Sequence, residues 1–375
     1  MPLRLDLFLA EHVEQVRRLN ARLRAGGVDP GFLLPEDAGP QYPGDPLGKK
    51  PDAPFTKRQF LAIEDENVRG GFLLQEQPCE IAGETHWCAN IQMPISEGLV
   101  DRKFSYVATR MLQLLLRDRP FVFAVGMGSL EAPFAKLLSA MKWRVALVPF
   151  RFYVLRPARF LREIQPLHSS RSRALAANIG AWSGLGILTI LALQRVRTRS
   201  VVSLIPDRIC QWDDQSSLLW SQYRAVCSFG AVRDGRTLPF FLDLSDSRLS
   251  AYRLADREGV VRGWIVLQVS AMRKNKYFGS LCVATLIDAV CEPGLERATV
   301  RAALACARDQ EADVMVTNQL HRHWLDASDD NGFWRGPSNY VLATSPQLTQ
   351  RISSVDPGFT SVHLARSDGD GRLNL

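Results

Sequence analysis

Histidine and aspartate side chains gather in one stretch late in the sequence, and metal binding is one chemistry that these residue types support. His321 and His323 are followed by Asp326, Asp329 and Asp330. On a helix, His323 and Asp326 are three residues apart and share a face, whereas His321 and His323 do not. The spacing therefore brings too few ligands together for a typical zinc site, and we interpret the group as a polar surface cluster. No metal site is expected.

Two other polar loops have spacings that resemble binding sites. Ser96 and Glu97 follow Met93-Pro94 and are either a substrate contact or a polar turn. Asp368 and Asp370 are spaced as in a calcium loop, but no further acidic ligands and no bidentate glutamate follow them. We interpret that last segment as a tail.

Apolar periodicity and turn residues predict the elements that position these side chains in the first half. A period near 3.6 residues favours helices over 10–24, 106–116 and 133–141. Short apolar or alternating runs favour strands over 71–75, 79–81, 87–93, 121–125 and 145–154.

The second half repeats this order of elements, although the residues themselves differ. Strands are predicted over 249–254, 261–269 and 279–290, then a helix over 298–308, a strand over 312–317, a helix over 323–330 and a strand over 339–344. Two parallel strands need a crossover helix between them. The sequence therefore predicts an α/β protein with mixed sheets, in which each half is an antiparallel meander joined to a β-α-β unit.

Length and charge indicate how these halves are organised. With 375 residues the chain can form two ordinary domains, which we place at 1–165 and 206–375, with a connector at 166–205. The net charge is +7, but ten arginines and only two acids lie in 151–210. Because the basic charge is confined to the connector and no nucleic-acid motif accompanies it, no nucleic-acid partner is expected.

The repeated order resembles the GCN5-related N-acetyltransferase (GNAT) fold, over about 55–155 and 225–350. The features that carry the resemblance are two corners where a helix meets a strand, Leu137-Leu-Ser-Ala-Met-Lys-Trp143 and Trp324-Leu-Asp-Ala-Ser-Asp-Asp-Asn-Gly-Phe333. Gly332 suits the left-handed position after a helix. The resemblance implies a tandem or FemAB-like arrangement, with acetyl-coenzyme A or another acyl-coenzyme A bound where two strands splay.

The phosphate-binding loop of that family, Gln/Arg-x-x-Gly-x-Gly/Ala, is present in neither half. The second half keeps Gly294, Arg297 and Ala298 at the corresponding place, so the resemblance implies that these residues would hold the cofactor. Alternatively, Gly294 merely turns the chain and Arg297 is a solvated residue in the first turn of a helix.

Acyl transfer to an amine needs a base for the amine proton and an acid for the departing thiolate. By position, the resemblance implies Asp288 as the base, Asn318 and His321 as residues that line the cleft, and Tyr340 as the acid. Asp288 is alternatively a paired carboxylate at a strand end, and Tyr340 an ordinary strand residue.

The connector contains an uncharged run at 174–193, with arginines on both sides. Its length suits a membrane span, but its glycines and equally basic flanks favour a helix packed between domains, or else a segment lying on anionic lipid. No secretory leader is evident at the N-terminus, and we expect a cytoplasmic protein, either free or peripheral to the inner face of the membrane.

These expectations combine into two hypotheses about function. The first is an N-acyltransferase that modifies an amine of a sugar, an amino acid or an envelope precursor, as in polysaccharide biosynthesis. The second is a catalytically silent GNAT-like scaffold or membrane-associated adaptor in such a pathway.

Overall fold

A computed structural model describes residues 2–37, 54–164, 185–198 and 202–369. The chain forms two compact units, each assembled from two segments. The first unit consists of Met1–Leu147 and Asn339–Val355, and the second of Val148–Ser338 and Asp356–Leu375.

The first unit is a mixed sheet with helices against it. Its strands run in the order β1-β2-β3-β4-β5-β15-β6. They are β1 (Arg4–Leu7), β2 (Thr56–Glu64), β3 (Asn67–Ile81), β4 (Glu84–Ser96), β5 (Val122–Met127), β6 (Arg144–Leu147) and β15 (Tyr340–Thr344). Its helices are α1 (Val13–Ala25), α2 (Tyr106–Asp118), α3 (Pro133–Ala140) and α10 (Pro346–Ser353).

The main core of the first unit lies between α2 and one face of this sheet. The apolar stripe of α2 comprises Val107, Met111, Leu112 and Leu115, all of them buried. It packs in one cluster with Phe72 and with residues of β2 and β4. Full burial of such a side chain contributes about 1.5–3 kcal/mol, so this stripe fixes α2 against β3 and β4.

The second unit is also a mixed sheet, in the order β14-β7-β13-β12-β11-β10-β8. The strands of this sheet are β7 (Phe150–Val154), β8 (Ile205–Ile209), β10 (Leu249–Ala255), β11 (Val261–Ala271), β12 (Cys282–Cys291), β13 (Val314–Asn318) and β14 (Trp334–Gly336). A further strand, β9 (Phe229–Ala231), belongs to the second unit but not to this sheet. The helices of the second unit are α4 (Pro157–Glu163), α5 (Leu185–Arg197), α6 (Asp214–Tyr223), α7 (Leu238–Phe241), α8 (Glu296–Asp309) and α9 (Arg322–Asp330).

Both units contain the predicted meander and parallel pair. β2, β3 and β4 pair antiparallel and β4 then pairs parallel with β5, while β10, β11 and β12 pair antiparallel and β12 pairs parallel with β13. The predicted fold class, an α/β protein with mixed sheets, is therefore confirmed.

Two strands are exchanged between the units. β7 follows the elements of the first unit in sequence but pairs with β13 and β14 in the second. β15 follows those of the second unit but pairs with β5 and β6 in the first. The sequence analysis assigned each of these strands to its own half of the chain and did not predict the exchange.

Part of the predicted connector is a helix. α5 covers the second part of the uncharged run, and residues 174–184 of that run lie outside the described residues. Ile187 and Ile190 of α5 pack with Phe160 and Leu161 of α4 in an apolar cluster. Among the helices that the structure describes, none is long and apolar enough to cross a membrane.

Candidate functional site

The first unit opens a cleft where β4 leaves its parallel partner. β4 and β5 pair only at Ala89 with Val122 and at Asn90 with Phe123. Further along, Gly71 of β3 pairs with Ile95, whereas Leu73 pairs with Gln92, so two residues of β4 face one residue of β3. Such a bulge bends the strand and ends regular pairing.

Met93 and Pro94 are the bulged residues, and their backbone explains the bend. Met93 has a φ of 47°, which is uncommon for a residue with a side chain, and Pro94 has no N–H to donate to a ladder. Met93 has no ladder partner in the registers of β4 with β3 and with β5.

A mostly apolar cavity of about 190 Å³ occupies the opening. Its walls come from the bulged end of β4, from α2 and from α3, and include Ile91, Ile95, Ala108, Met111, Phe134 and Leu137. At about 30 Å³ for each water molecule, this volume corresponds to about six waters. The cavity suits an extended apolar or weakly polar group entering between the strands.

The N-terminus of α2 lies beside this cavity, because Ser105 and Ala108 line it. No side chain caps the helix at Ser105, and the turn that leads into it, Arg102–Phe104, is capped by Asp101, whose Oδ1 accepts from the N–H of Lys103 at 3.1 Å. The turn before the helix carries two exposed basic residues, Arg102 and Lys103, of which Lys103 pairs with Asp101 at 3.1 Å. Uncapped N–H groups beside basic side chains are suited to bind an anion.

Glu97 is held by arginines rather than directed at a ligand. Its carboxylate accepts from Arg22 at 2.6 Å and from Arg69 at 2.9 Å, and only 4% of the residue is exposed. This structural role fits the polar-turn interpretation of the loop, while Ser96 lines the cavity.

In the second unit the three residues assigned to the cofactor do lie together. Gly294, Arg297 and Ala298 line one cavity of about 790 Å³ at the start of α8. Their role in holding a cofactor stays a prediction.

The anion position at the start of α8 is already filled by a side chain of the chain itself. Glu296 is 5% exposed, and its Oε2 accepts a hydrogen bond from the N–H of Gly294 at 3.0 Å. Arg297 is paired with Asp330. A phosphate would have to displace one carboxylate and compete with another, which disfavours a phosphate at this place.

Asp288 lies in a closed network of charges. It is 1% exposed, accepts from Arg233 Nε at 2.9 Å and from the Ser367 hydroxyl, and its Oδ1 is 3.5 Å from His363 Nε2. Arg233 also donates to Asp368 at 2.7 Å.

The charges of this network shift the pKa of Asp288 against the effect of burial, whereas the pKa of His363 follows it. Burial alone would raise the pKa of Asp288, but Arg233 holds it below its usual range, while burial lowers the pKa of His363 to about 4. Asp288 is therefore paired, which agrees with the alternative interpretation, and its role as a base stays a prediction.

The other predicted catalytic residues are divided between the two units. His321 is buried and uses both ring nitrogens: Nδ1 accepts from the N–H of His323 at 3.2 Å, and Nε2 donates to the carbonyl of Val226 at 3.1 Å. Asn318 is buried at the end of β13, with no hydrogen-bond partner for its Nδ2. Tyr340 begins β15 and belongs to the first unit, whereas Asp288, Asn318 and His321 belong to the second.

The residues of the predicted surface cluster have different surroundings in the structure. His323, Asp326 and Asp330 line the second unit's cavity, and Asp329 pairs with Arg151 at 2.7 Å. Among the described residues, no three His, Cys, Asp or Glu side chains are placed to hold a metal ion. Asp370 of the suggested calcium loop lies outside the described residues.

From the sequence, only Ser96 pointed to the first unit's cleft, through one of the two interpretations of its loop. Met93-Pro94 is a signal for the bulge, because a proline within an apolar alternating run marks an edge or a bulge. Arg102 and Lys103, in the turn before α2, are a second signal for a site here.

Comparison with known proteins supports the fold. No protein-family model matches the chain, and no curated protein matches it in sequence. A solved structure from Enterococcus faecalis V583, described as a probable N-acyltransferase, superposes with a TM-score of 0.50 at 9% identity, covering 93% of this chain and 74% of that one.

Two further solved structures give similar values. Saccharomyces cerevisiae N-myristoyltransferase with bound myristoyl-CoA and inhibitors has a TM-score of 0.49 at 13% identity, covering 92% of this chain and 80% of that one. A GCN5-related N-acetyltransferase from Anabaena variabilis ATCC 29413 has a TM-score of 0.48 at 10% identity, covering 91% and 72%. The fold of this chain is thus the GNAT-like fold that the repeated element order predicts, with two mixed sheets.

Proposed function

We propose that the chain is an N-acyltransferase that takes its acyl group from acetyl-coenzyme A or another acyl-coenzyme A bound in the first unit. The observation that carries this proposal is the apolar cavity between the separating strands β4 and β5, directly beside the uncapped N-terminus of α2. An acyl-coenzyme A needs such a pair of sites, one for its pantetheine arm and thioester and one for its phosphates.

The size and charge of the two sites fit the two ends of the ligand. A cavity of about 190 Å³ takes the thioester and part of the pantetheine, which leaves the nucleotide outside it. The phosphates then lie at the start of α2, where Arg102 and Lys103 supply positive charge.

The reaction requires that the carbonyl be polarised, the amine be positioned and one proton be transferred. The amine nitrogen attacks the thioester carbonyl, a C–N bond forms and the C–S bond breaks, and the proton that the amine loses passes, directly or through water, to the departing thiolate, which leaves as the thiol of coenzyme A. We propose that the backbone N–H of Met93, which has no ladder partner and lies next to the cavity-lining Pro94, stabilises the developing oxyanion.

The acceptor that we propose is a small-molecule amine, as part of a sugar, an amino acid or an envelope precursor, modified in the cytoplasm. This assignment extends the sequence resemblance. The rival location for the cofactor, at Gly294, Arg297 and Ala298, is weakened by the carboxylate of Glu296 at the start of α8.

Calorimetric titration with acetyl-coenzyme A tests the proposal, and longer acyl chains extend it. Ala108→Trp fills the cavity and should weaken the binding of acetyl-coenzyme A by at least about a hundredfold, because the indole would occupy the volume that the pantetheine needs. Ala140→Trp is the matched control, since Ala140 is exposed at the end of α3 and does not line the cavity.

The variants also separate the two possible locations. If Arg297→Glu abolishes binding while Ala108→Trp leaves it unchanged, the cofactor lies in the second unit and our assignment is wrong. If the folded protein binds no acyl-coenzyme A at millimolar concentration, the acyltransferase proposal itself fails.

A second candidate role rests on the outer face of α5. Leu188, Leu191, Leu193 and Val196 are exposed, and Val196 reaches 87%. Apolar side chains at this density on a basic segment are typical of a helix that lies on an anionic membrane surface. We propose that α5 contacts such a surface. This contact would suit an adaptor, and it would also suit an enzyme whose acceptor is linked to the membrane.

Cosedimentation with vesicles tests this contact. Binding to vesicles containing phosphatidylglycerol, lost in the double variant Leu188→Ser and Val196→Ser and retained in Leu130→Ser, would support it. Leu130 is an exposed leucine in the first unit. Equal binding by all three proteins would exclude α5 as the contact.

A further inference from the structure

The walls of the second unit's cavity extend from the start of α8 to α9, and they are acidic. Glu296, Asp326 and Asp330 all line it, against the single arginine Arg297 and the imidazole of His323. Arg297 is already committed to Asp330. The cavity therefore presents the carboxylate of Glu296, which pairs with no arginine that lines it, and that of Asp326, whose ion pair with Arg322 at 3.5 Å is exposed to solvent.

Glu296 is buried in a way that leaves one of its oxygens unsatisfied. Its Oε2 accepts from the N–H of Gly294, but its Oε1 has no hydrogen-bond partner although the residue is only 5% exposed. A buried carboxylate oxygen without a donor is costly, and native sites of this kind are usually completed by a ligand or an ion.

His323 stands next to this oxygen without satisfying it. Its Nδ1 lies 3.7 Å from Glu296 Oε1, which is too long for a hydrogen bond. Over half of the His323 side chain is exposed, at 55%, so the ring is free to turn toward solvent and uncover the carboxylate.

The remaining walls indicate what kind of cation fits. Leu295, Ala298, Ala327 and Val202 add apolar surface around the carboxylates. A volume of about 790 Å³ is in the range of small-molecule sites, which bury an organic body and fix it by a few polar contacts. Apolar walls around a carboxylate suit an alkylammonium ion rather than a bare metal ion.

We propose that this cavity binds an organic cation with a primary ammonium group, which donates to Glu296 Oε1 while its methylene chain lies against the apolar walls. Asp326, at the exposed rim, attracts the cation as it enters. The site does not depend on the acyl-coenzyme A site that we propose in the first unit, and either one can exist without the other.

Pentylamine is the probe, and 1-pentanol is its uncharged counterpart of equal chain length. Isothermal titration calorimetry at low ionic strength should show saturable binding of pentylamine. The affinity for 1-pentanol should be at least about tenfold lower, because only the ammonium makes a charge-assisted hydrogen bond.

Substitutions locate the binding. Glu296→Gln keeps an acceptor for Gly294 but removes the charge, and should weaken pentylamine about tenfold. Asp326→Asn should weaken it by about two- to fivefold, since Asp326 is exposed and its field is screened. Glu292→Gln is the control. Glu292 lies on the same loop as Gly294, but it pairs with Arg262 of β11 and does not line the cavity.

Equal affinity for amine and alcohol would overturn the proposal. So would binding that is unchanged in both folded variants, Glu296→Gln and Asp326→Asn. If Glu296→Gln does not fold, Asp326→Asn and the comparison with 1-pentanol still decide the matter. The titration of Ala108→Trp with acetyl-coenzyme A is separate, so failure here leaves the first unit's site unaffected.

Discussion

In the first unit the strand that leaves its parallel partner is bulged at Met93, and in the second unit the corresponding strand is bulged at Ile287. Both strands separate from a parallel neighbour soon after pairing begins, and both lead into a helix across a short loop. The openings are then lined by different side chains. Mostly apolar residues line the cavity at the first opening, whereas the cavity of the second unit lies at the start of α8 and against α9 and includes three carboxylates, those of Glu296, Asp326 and Asp330.

The comparison shows that the backbone of this fold makes an opening but does not decide what enters it. Neither α2 nor α8 has a side-chain cap, but basic residues lie beside the start of α2 and a buried glutamate lies at the start of α8, so an anion is favoured only at α2. The same contrast extends to the strands. The end of β12 carries Asp288 in a closed ion network, while the end of β4 carries unpaired backbone at Met93.

The largest expected effect comes from opening that network. Arg233→Ala leaves two buried carboxylates without their shared partner and should lower the free energy of unfolding by about 3–5 kcal/mol. The urea midpoint, followed by tryptophan fluorescence, measures the change. Arg253→Ala is the matched control, because Arg253 pairs with Asp207 and Asp213 at the surface and should cost less than about 1 kcal/mol.

A loss no larger in Arg233→Ala than in the control would contradict the view that this cluster is structural. Asp288 of the second unit would then again be a candidate base, because an ion pair that can be broken with little loss of unfolding free energy does not stabilise the fold.

A smaller effect is expected from pH. Burial lowers the pKa of His363 to about 4, so the folded protein holds this ring neutral where the unfolded chain, with a pKa near 6.5, takes up a proton. The stability that this provides is complete above about pH 6.5 and is lost as the pH falls toward 4. Between pH 7 and pH 5 the loss should be about 2 kcal/mol.

Urea midpoints at the two pH values check this, with His363→Asn as the variant that removes the titrating ring. The pKa of His321 is also lowered by burial and adds a loss of the same sign, so the variant should reduce the pH dependence without abolishing it. An unchanged dependence in His363→Asn would show that His363 is not its source.

Local patterns predicted the helices well, and long-range pairing explains what was missed. The predicted helix 106–116 is observed as Tyr106–Asp118, because its 3.6-residue period can be read without knowing its neighbours. The exchange of β7 and β15 depends on partners far away in sequence, and neither strand carries a signal for its partner.

The candidate site was predictable to the same limited extent. Gly294, Arg297 and Ala298 share a cavity because they share the start of one helix. That Arg233 neutralises Asp288, 55 positions away, could not be read from either residue. The cleft of the first unit was missed because a bulge depends on the register between strands, which a single strand's pattern does not show.

The charge on the turn before α2 has a moderate expected effect. The double variant Arg102→Glu and Lys103→Glu should weaken acetyl-coenzyme A by about tenfold or more, because the proposed phosphates would face two negative charges. Arg117→Glu, near the other end of the same helix, is the control. Titration at two salt concentrations should show a shallower salt dependence in the double variant, and equal affinities in all three proteins would remove the phosphates from this turn.

The smallest expected effect separates a cap from a catalyst in the second unit. His321 caps α9 by accepting from the N–H of His323, so His321→Ala should cost about 1 kcal/mol of stability, and His321→Asn should cost less, because asparagine also caps helices. Neither change should alter the rate of acyl transfer by the folded protein. If His321→Asn is as stable as the unmodified chain yet transfers no acyl group, His321 takes part in the reaction, and the second cleft rather than the first becomes the place to look for the chemistry.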